Sequence, residues 1–448
     1  MNTKKVLVFG SGISGIGACR LLGRLGKSVI LYDGNSALDA EKIRNEVGEG
    51  VTLDIILGEL SPEDLQTVEL VVMSPGVPTD IPVVERFRQM GIPIWGEIEL
   101  AYTYGKGDVL AITGTNGKTT TTALLGEIMK NYRESVYVVG NIGNPYTAVA
   151  LDMNEDSVAV AEVSSFQLET IHTFSPRVSA ILNITPDHLN RHHTMEAYIE
   201  AKKSIARNQT EQDTCVLNYE DEITRKIGED VKCKVLYFSS QRKLDKGIYL
   251  DAGNIIYKDK EEVFVCNVDE LQLLGVHNYE NVMAAVAMAM AYGAPFDIIQ
   301  KTVKMFTGVA HRIEFVTEKN GVAYYNDSKG TNPDAAIKAI QAMNRKTLLI
   351  GGGYDKDSSY EEWIQAFDGK VKHLVLLGQT KEKIAKAARE CGFQDIIFTQ
   401  TLEEAVVTCA RLAEPGDAVL LSPACASWGM FRNYEERGDM FKEFVNAL

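Results

Sequence analysis

Short apolar runs, each closed by glycine or a polar turn, alternate along this chain with longer stretches whose apolar positions recur at helical spacing. Runs that are apolar on both faces suit strands buried in a parallel sheet and covered by helices. In the first part of the chain they fall at residues 6–9, 28–32 and 71–73, and a short stretch at 91–96 closes the unit. A second series occupies 109–112, 136–139, 158–163 and 178–184, with helices expected at 123–129 and 194–206. Residues 214–217, 235–238, 247–250 and 262–265 then read as short strands joined by polar turns, a small β-rich region ahead of an Ala/Met-rich helix at 282–292. The alternation resumes with strands at 347–350 and 373–377 and continues to the last residue. The pattern predicts an α/β protein divided as 1–96, 97–307 and 308–448.

The most chemically explicit stretch is L-A-I-T-G-T-N-G-K-T-T-T-T, residues 110–122. An apolar strand runs into a loop carrying Gly114, Gly117 and Lys118, and a helix follows. Glycines let successive backbone N–H groups turn toward one anion, and the helix N-terminus adds partial positive charge. Lys118 then reaches the terminal phosphates and Thr119 offers a hydroxyl to Mg²⁺. The loop is two residues shorter than G-x-x-x-x-G-K-[ST], but it has the strand before and helix after that the motif requires. Two more strand ends point the same way: Glu162 near the end of 158–163, and Asp187 and His188 in T-P-D-H-L after 178–184. Open α/β sheets bind ligands at the carboxyl ends of their strands. Glu162 and His188 are therefore candidate Mg²⁺ ligands, with a purely structural histidine as the alternative for His188.

Nearer the start, G-S-G-I-S-G places Gly10, Gly12 and Gly15 after a strand, and Asp33 stands about 20 residues on, matching the dinucleotide fingerprint. NAD, another nucleotide diphosphate, or a turn glycine-rich for packing alone all satisfy it. The S-P-G-V-P turn at 74–78 ends a strand at the same edge, where Ser74 would line a ligand. Thr194 is positioned to cap the 194–206 helix, whose Lys202 and Lys203 read as solvated surface lysines. His277, Asn278 and Asn281 in G-V-H-N-Y-E-N are either polar groups at a helix start or a base-recognition patch. Asn332 before Pro333 marks a helix start, so Lys329 and Thr331 lie just ahead of a positive helix end. Lys356 and Ser427 occupy two other loops after strands, and an ordinary helix cap is the alternative for Ser427.

Composition narrows the partners. Forty-six basic against 61 acidic residues give a net charge of −15, so a phosphate site here is local and nucleic acid is not an expected partner. Seven scattered cysteines without C-x-x-C support neither a disulfide framework nor a zinc knuckle, as in a reducing cytoplasm. Gly10 and Gly12 interrupt the first apolar run before a signal-peptide core forms. The longest apolar stretch, residues 282–291, is about half a membrane span, so no membrane association is expected.

At T-G-T-N-G-K-T-T, residues 113–120, the chain resembles the ATP loop of the Mur ligases, which extend the peptidoglycan precursor one amino acid at a time. Folylpolyglutamate synthetases share that loop. S-S-F-Q-L-E at 164–169, N-D-S-K-G-T-N at 326–332, and S-P-A-C-A-S at 422–427 with Arg437 and Gly438 downstream resemble the D-glutamate-adding branch. The resemblance covers the whole chain. It implies a Rossmann-like UDP-binding domain, a central P-loop ATPase-like mononucleotide-binding domain and a Rossmann-like amino-acid-binding domain. The implied reaction joins D-glutamate to UDP-N-acetylmuramoyl-L-alanine with ATP through an acyl phosphate, in a cytoplasmic monomer. Gly114, Thr115, Asn116, Gly117, Lys118, Thr119 and Thr120 would form the ATP loop, with Asn278, Asn281, Arg312 and Asp327 on the rest of the nucleotide. Two Mg²⁺ sites would draw on Thr119, Glu162, His188 and Lys202, the last as a carbamate formed with CO₂. Gly12, Ser14, Asp33 and Ser74 would contact the UDP. Asn141, Ser164 and Gln167 would line the muramoyl part, and Lys329, Thr331, Lys356, Ser427 and Tyr434 would hold D-glutamate. The family often has Asp where Asn190 and Gly429 stand here, so neither is given a role and the contacts of loop 428–430 stay open.

Overall fold

The computed structural model describes residues 4–141 and 144–448. Ile142 and Gly143, part of the glycine turn expected after the 136–139 strand, lie outside the described residues. Three sheets organise the chain. The first contains β1 (Lys5–Phe9), β2 (Ser28–Asp33), β3 (Thr52–Leu57), β4 (Val68–Met73) and β5 (Ile94–Gly96), in the order β3-β2-β1-β4-β5. All its pairings are parallel, and the order reverses between β1 and β4, which opens a crevice beyond their carboxyl ends.

The second sheet has nine strands: β6 (Asp108–Thr113), β7 (Val136–Gly140), β8 (Val158–Glu162), β9 (Val178–Ile181), β10 (Thr214–Asn218), β11 (Lys234–Ser239), β12 (Gly247–Asp251), β13 (Asn254–Lys258) and β14 (Glu262–Asn267). Their order is β14-β13-β12-β11-β10-β9-β6-β8-β7. The small β-rich region expected after residue 214 is therefore not a separate element. β10 pairs in parallel with β9, so those strands prolong the phosphate-loop sheet. Polar turns looked like a change of architecture, but hydrogen bonding between strand edges is what decides sheet membership. The third sheet runs β15-β16-β20-β17-β18-β19, from β15 (Glu314–Lys319), β16 (Val322–Asn326), β17 (Thr347–Gly351), β18 (Val371–Leu376), β19 (Ile396–Phe398) and β20 (Ala418–Leu421). Only its outer β15–β16 pair is antiparallel.

The strands are apolar because helices cover both faces: Leu110, Ala111, Ile112, Val160 and Ala161 have no exposed surface at all. Two compact units result. One runs to Val265 and resumes at Glu280–Thr302; the other comprises Cys266–Tyr279 and Val303–Leu448. The first two sheets share the first unit and one hydrophobic core. The Ala/Met-rich helix starts earlier than expected, at Val276 rather than 282, because residues 277–281 wind into its first turns. Thr194 does cap the next lysine-bearing helix, Met195–Lys203, accepting from Ala197 N.

A buried carboxylate holds the segment after the first sheet in place. Glu99, in helix Glu97–Tyr104, is fully buried and accepts from the backbone N–H groups of His172 (2.9 Å), Thr173 (2.8 Å) and Phe174 (3.0 Å). Hydrogen bonds to a carboxylate are the strong class, and losing this one leaves three backbone donors unpaired, that of Phe174 buried. Glu99→Ala is expected to lower the unfolding free energy by about 3 kcal/mol in a urea titration. Glu99→Gln is expected to cost less, because the amide keeps one acceptor oxygen.

Candidate functional site

The loop after β6 is shaped by its glycines. Gly114 and Gly117 have φ of 152° and 86°, and Gly117 leads into helix Lys118–Tyr132. A Cβ on Gly117 would collide with Asn281 Oδ1, so glycine is required by both backbone and space. Lys118 Nζ donates to the carbonyls of Gly114 and Thr115, each at 2.9 Å. Asn116 is clasped by Asn183, whose Oδ1 accepts from Asn116 N (2.8 Å) and whose Nδ2 donates to Asn116 O (3.1 Å). Thr115 Oγ1 lies 3.0 Å from Tyr198 Oη. Asn183 and Tyr198 carried no sequence signal, since each acts only through a loop distant along the chain. Thr119 is partly buried and Thr120 buried at the helix start.

Lys202 overturns the surface reading. It is 2% exposed, its Nζ donates to Gly114 O at 2.8 Å and it lies 4.7 Å from the Tyr198 ring centroid. Burial, reinforced by the charge of Lys118 and opposed by Asp187, pulls its amine down to about 7. The neighbouring Lys203 is the surface residue, paired with Asp230 at 2.7 Å. Helical phase separates the two, and the expectation ignored it.

Glu162 ends β8 and is 1% exposed. Its Oε1 accepts from Asn141 Nδ2 at 2.9 Å, while Oε2 has no partner among the described residues. An orphaned buried carboxylate oxygen beside a phosphate loop fits a hard divalent cation. His188 is half exposed, in a left-handed conformation, with its ring 4.9 Å from that of Phe166. No group of three or more His, Cys, Asp or Glu among the described residues encloses a metal. A cation here would draw on Glu162, Thr119 and the oxygens of its ligand, the usual habit of Mg²⁺.

At the first sheet, Asp33 ties the glycine loop to itself. Its Oδ2 accepts from Ser11 N (3.0 Å) and Ser11 Oγ (2.7 Å), and Oδ1 from Asn35 N (3.0 Å). Although burial acts to raise it, those hydrogen bonds hold the carboxyl below its usual range. Gly12 stands at the start of helix Ile13–Arg24 with no side-chain cap, which leaves the first N–H groups of that helix, Ser14 included, to a ligand. Ser74 Oγ donates to Gly10 O at 3.4 Å and lines a small cleft together with Gln167, Phe166 and Arg191. Arg191 Nη2 donates to Val77 O (3.0 Å) and to Glu169 Oε2 (2.8 Å), a role the sequence did not suggest. Glu97, also unanticipated, lines this cleft.

In the second unit, Asp327 is buried, accepting from Ile313 N (3.2 Å) and Ser422 Oγ (2.7 Å), and burial pushes its carboxyl up to about 7. Arg312 is exposed. Asn278 donates to Leu274 O at 2.7 Å, while Asn281 belongs to the first unit and meets Thr121. Asn332 caps helix Pro333–Ala342 as expected, with Thr331 directly before it. Lys329 Nζ lies 5.5 Å from the Tyr434 ring centroid, and Lys356 Nζ 4.9 Å from that of Trp428. Ser427 is buried and opens a turn, its carbonyl accepting from Phe431 N; Asn433, not Ser427, caps the last helix, so the helix-cap alternative is wrong.

Arg437 explains why these loops stay in register. Buried at 2% exposure, it donates to Ser328 Oγ (2.9 Å), Ser328 O (2.8 Å) and Cys425 O (3.1 Å), so one guanidinium joins the loop of Lys329 to the loop of Ser427. Burial lowers its pKa to about 10, leaving it charged at neutral pH. Gly438 beside it has no room for a Cβ against His311.

A glycine loop between strand and helix, a buried lysine on its carbonyl and an orphaned carboxylate at the next strand end define a phosphate-loop nucleotide-binding enzyme. Family models match in sequence along the chain: the Mur ligase MurD-like N-terminal domain at residues 4–96, the Mur ligase middle domain at 112–289 and the Mur ligase glutamate ligase domain at 311–425. The UDP-N-acetylmuramoylalanine–D-glutamate ligase of Lachnoclostridium phytofermentans is 60% identical over 99% of this chain and 98% of its own length. That of Lachnospira eligens is 56% identical over the full length of both. Among solved structures, the UDP-N-acetylmuramate-alanine ligase MurC of Thermotoga maritima superposes with a TM-score of 0.59 at 20% identity, covering 99% of each chain. MurF of the same organism, solved with ADP, gives 0.56 at 18% identity over 94% of this chain and 95% of its own. The chain belongs to the Mur ligase family, and the NAD reading of the first glycine loop falls away.

Replacing Arg437 with Met strands two buried carbonyls and a hydroxyl. We expect Arg437→Met to destabilise the second unit by about 3 kcal/mol. Faster amide exchange in loops 327–331 and 423–428, with residues 114–120 unchanged, is the measurement.

Proposed function

We infer that this chain is an ATP-dependent ligase that adds D-glutamate to UDP-N-acetylmuramoyl-L-alanine in peptidoglycan precursor synthesis. Identity of 56–60% over essentially the whole chain to ligases of that name supports the substrates. The single structural observation that carries the chemistry is the meeting of Lys118 and Lys202 on the Gly114 carbonyl. The domains are taken as 1–96 for the uridine substrate, 97–307 for ATP and 308–448 for the amino acid. All the assigned binding residues lie in one chain, which suits a monomer, and ATP as co-substrate suits the cytoplasm.

A carboxylate resists amine attack because its oxygen leaves poorly. Transfer of the γ-phosphoryl group of ATP to the terminal carboxylate of the substrate gives an acyl phosphate. The D-glutamate amine attacks that carbonyl carbon, and the tetrahedral intermediate collapses with loss of phosphate. Lys118 and the backbone N–H groups of residues 114–120 would hold the β- and γ-phosphates, drawing Lys118 from the loop carbonyls it now satisfies. Asn278, Asn281, Arg312 and Asp327 would bind the rest of the nucleotide. Thr119 and Glu162 would hold one Mg²⁺, and His188 with Lys202 as its carbamate the second. Mg²⁺ there supplies charge neutralisation between phosphate and carboxylate. Only a neutral amine adds CO₂, and the buried site of Lys202 favours that form.

Gly12, Ser14, Asp33 and Ser74 would take the UDP, and Asn141, Ser164 and Gln167 the muramoyl part. Lys329, Thr331, Lys356, Ser427 and Tyr434 would hold D-glutamate, the lysines answering its carboxylates. Trp428 supports Lys356 where the family often has an acidic residue one position on.

Phosphate release from ATP should require both UDP-N-acetylmuramoyl-L-alanine and D-glutamate. L-Glutamate, L-alanine, L-lysine and meso-diaminopimelate should each fail to replace D-glutamate; turnover with one of them refutes the assignment of the second unit. Lys202→Ala should lower kcat on the order of 100-fold or more and recover in part with added acetate or formate. No recovery in a folded variant would count against the carbamate.

A further inference from the structure

Gln167 is 4% exposed and lines the cleft between Ser74 and Arg191. Both faces of its amide are specified. The carbonyl Oε1 accepts from Ser164 N (2.8 Å) and Ser164 Oγ (3.0 Å). Ser164 Oγ in turn accepts from Gln167 N at 3.3 Å, and its one hydrogen is committed to the Gln167 carbonyl. The Nε2 donates to Glu97 Oε1 at 2.6 Å. A flipped amide would set its NH₂ against the Ser164 N–H and its carbonyl against Glu97, losing the bonds from Ser164 N and to Glu97 as they stand. Only one Nε2 hydrogen is thereby used, and Gln167 makes no further hydrogen bond within the described residues.

Glu97 itself calls for an explanation. It is fully buried, and its second oxygen, Oε2, has no partner among the described residues. A buried carboxylate with one hydrogen bond is costly unless its position serves something else. Burial pushes its carboxyl up to about 7, partly offset by the Gln167 amide.

We propose that Glu97 is a positioning residue that locks the Gln167 amide so that an N–H, never its carbonyl, faces the cleft. The wall then selects an acceptor oxygen on the bound sugar acid, a carbonyl, ether or hydroxyl oxygen, and rejects a donor at the same place. This rests on the reading of the cleft as the uridine-substrate site.

The test exchanges the two side chains. Gln167→Glu alone puts two carboxylates together and should lower Tm and raise KM for UDP-N-acetylmuramoyl-L-alanine. Combining it with Glu97→Gln restores one carboxylate and one amide, with Ser164 and the new glutamine donating to the new glutamate. Tm should return, yet KM for the uridine substrate should stay raised by ~10-fold, because the N–H toward the cleft is gone. KM for ATP and D-glutamate should not move. Recovery of both Tm and KM in the double variant overturns the proposal. Gln167→Ala with an unchanged uridine-substrate KM would instead show that the reading of the cleft had failed. Should the double variant melt early, wild-type protein labelled with ¹⁵N at glutamine side chains decides. One Gln167 Nε2 proton should shift on adding the uridine substrate, and two unmoved protons overturn the proposal.

Discussion

One carbonyl oxygen, that of Gly114, accepts from two lysine side chains, one close by in the chain and one distant. Lys118 comes from the turn that follows it and Lys202 from a helix far along the chain. Burial makes a second charge at this acceptor costly, and two charges there would repel each other, which is why the Lys202 amine is pulled down to about 7. The arrangement persists because the sheet places β6 between β8 and β9, and because Tyr198 and Thr194 fix the helix that delivers Lys202. Two lysine side chains gathered on a glycine loop at the carboxyl end of a parallel sheet suit an anion. The unpartnered oxygen of Glu162 stands at the next strand end, where it fits the cation proposed above.

Buried carboxylates follow one logic through the molecule. Glu99 spends its oxygens on three backbone N–H groups, Asp327 on Ile313 and Ser422, and Glu97 on Gln167. Where the partners are backbone donors the carboxylate fastens loops. Where an oxygen is left over, as in Glu97 and Glu162, the residue borders a cavity or a strand end where a ligand is expected. Arg437 is the cationic counterpart, a charge spent on carbonyls and a hydroxyl to keep two loops aligned.

Local order was legible in the sequence and long-range partnership was not. Strand ends, the glycine turn, the Thr194 cap and the Asn332–Pro333 helix start follow from rules that act over a few residues. The phosphate loop, Glu162 and the loops of the second unit were visible for the same reason: glycine and polar residues interrupt apolar runs. Lys202 was misread as solvated because helical phase was ignored: it stands four residues after Tyr198 on the buried face, while Lys203 is turned toward Asp230. Asn183, Tyr198 and Glu97 each act on a segment far away in the chain, and no local pattern marks them; Arg437 stood out only through the family resemblance. The nine-stranded sheet was missed likewise, since turn composition says nothing about which edge a strand joins.

Asp33 shows what an apparently finished set of hydrogen bonds means for recognition. Its acceptors already hold Ser11 and Asn35, so the glycine loop is shaped before anything arrives and no chain entropy is spent in ordering it. A ligand hydroxyl reaching this carboxylate would use the acceptor position still open on Oδ1 beside Asn35, so Ser11 need not give way. Only a hydroxyl of the right reach would find that position, so the carboxylate would gauge distance while the loop keeps its shape.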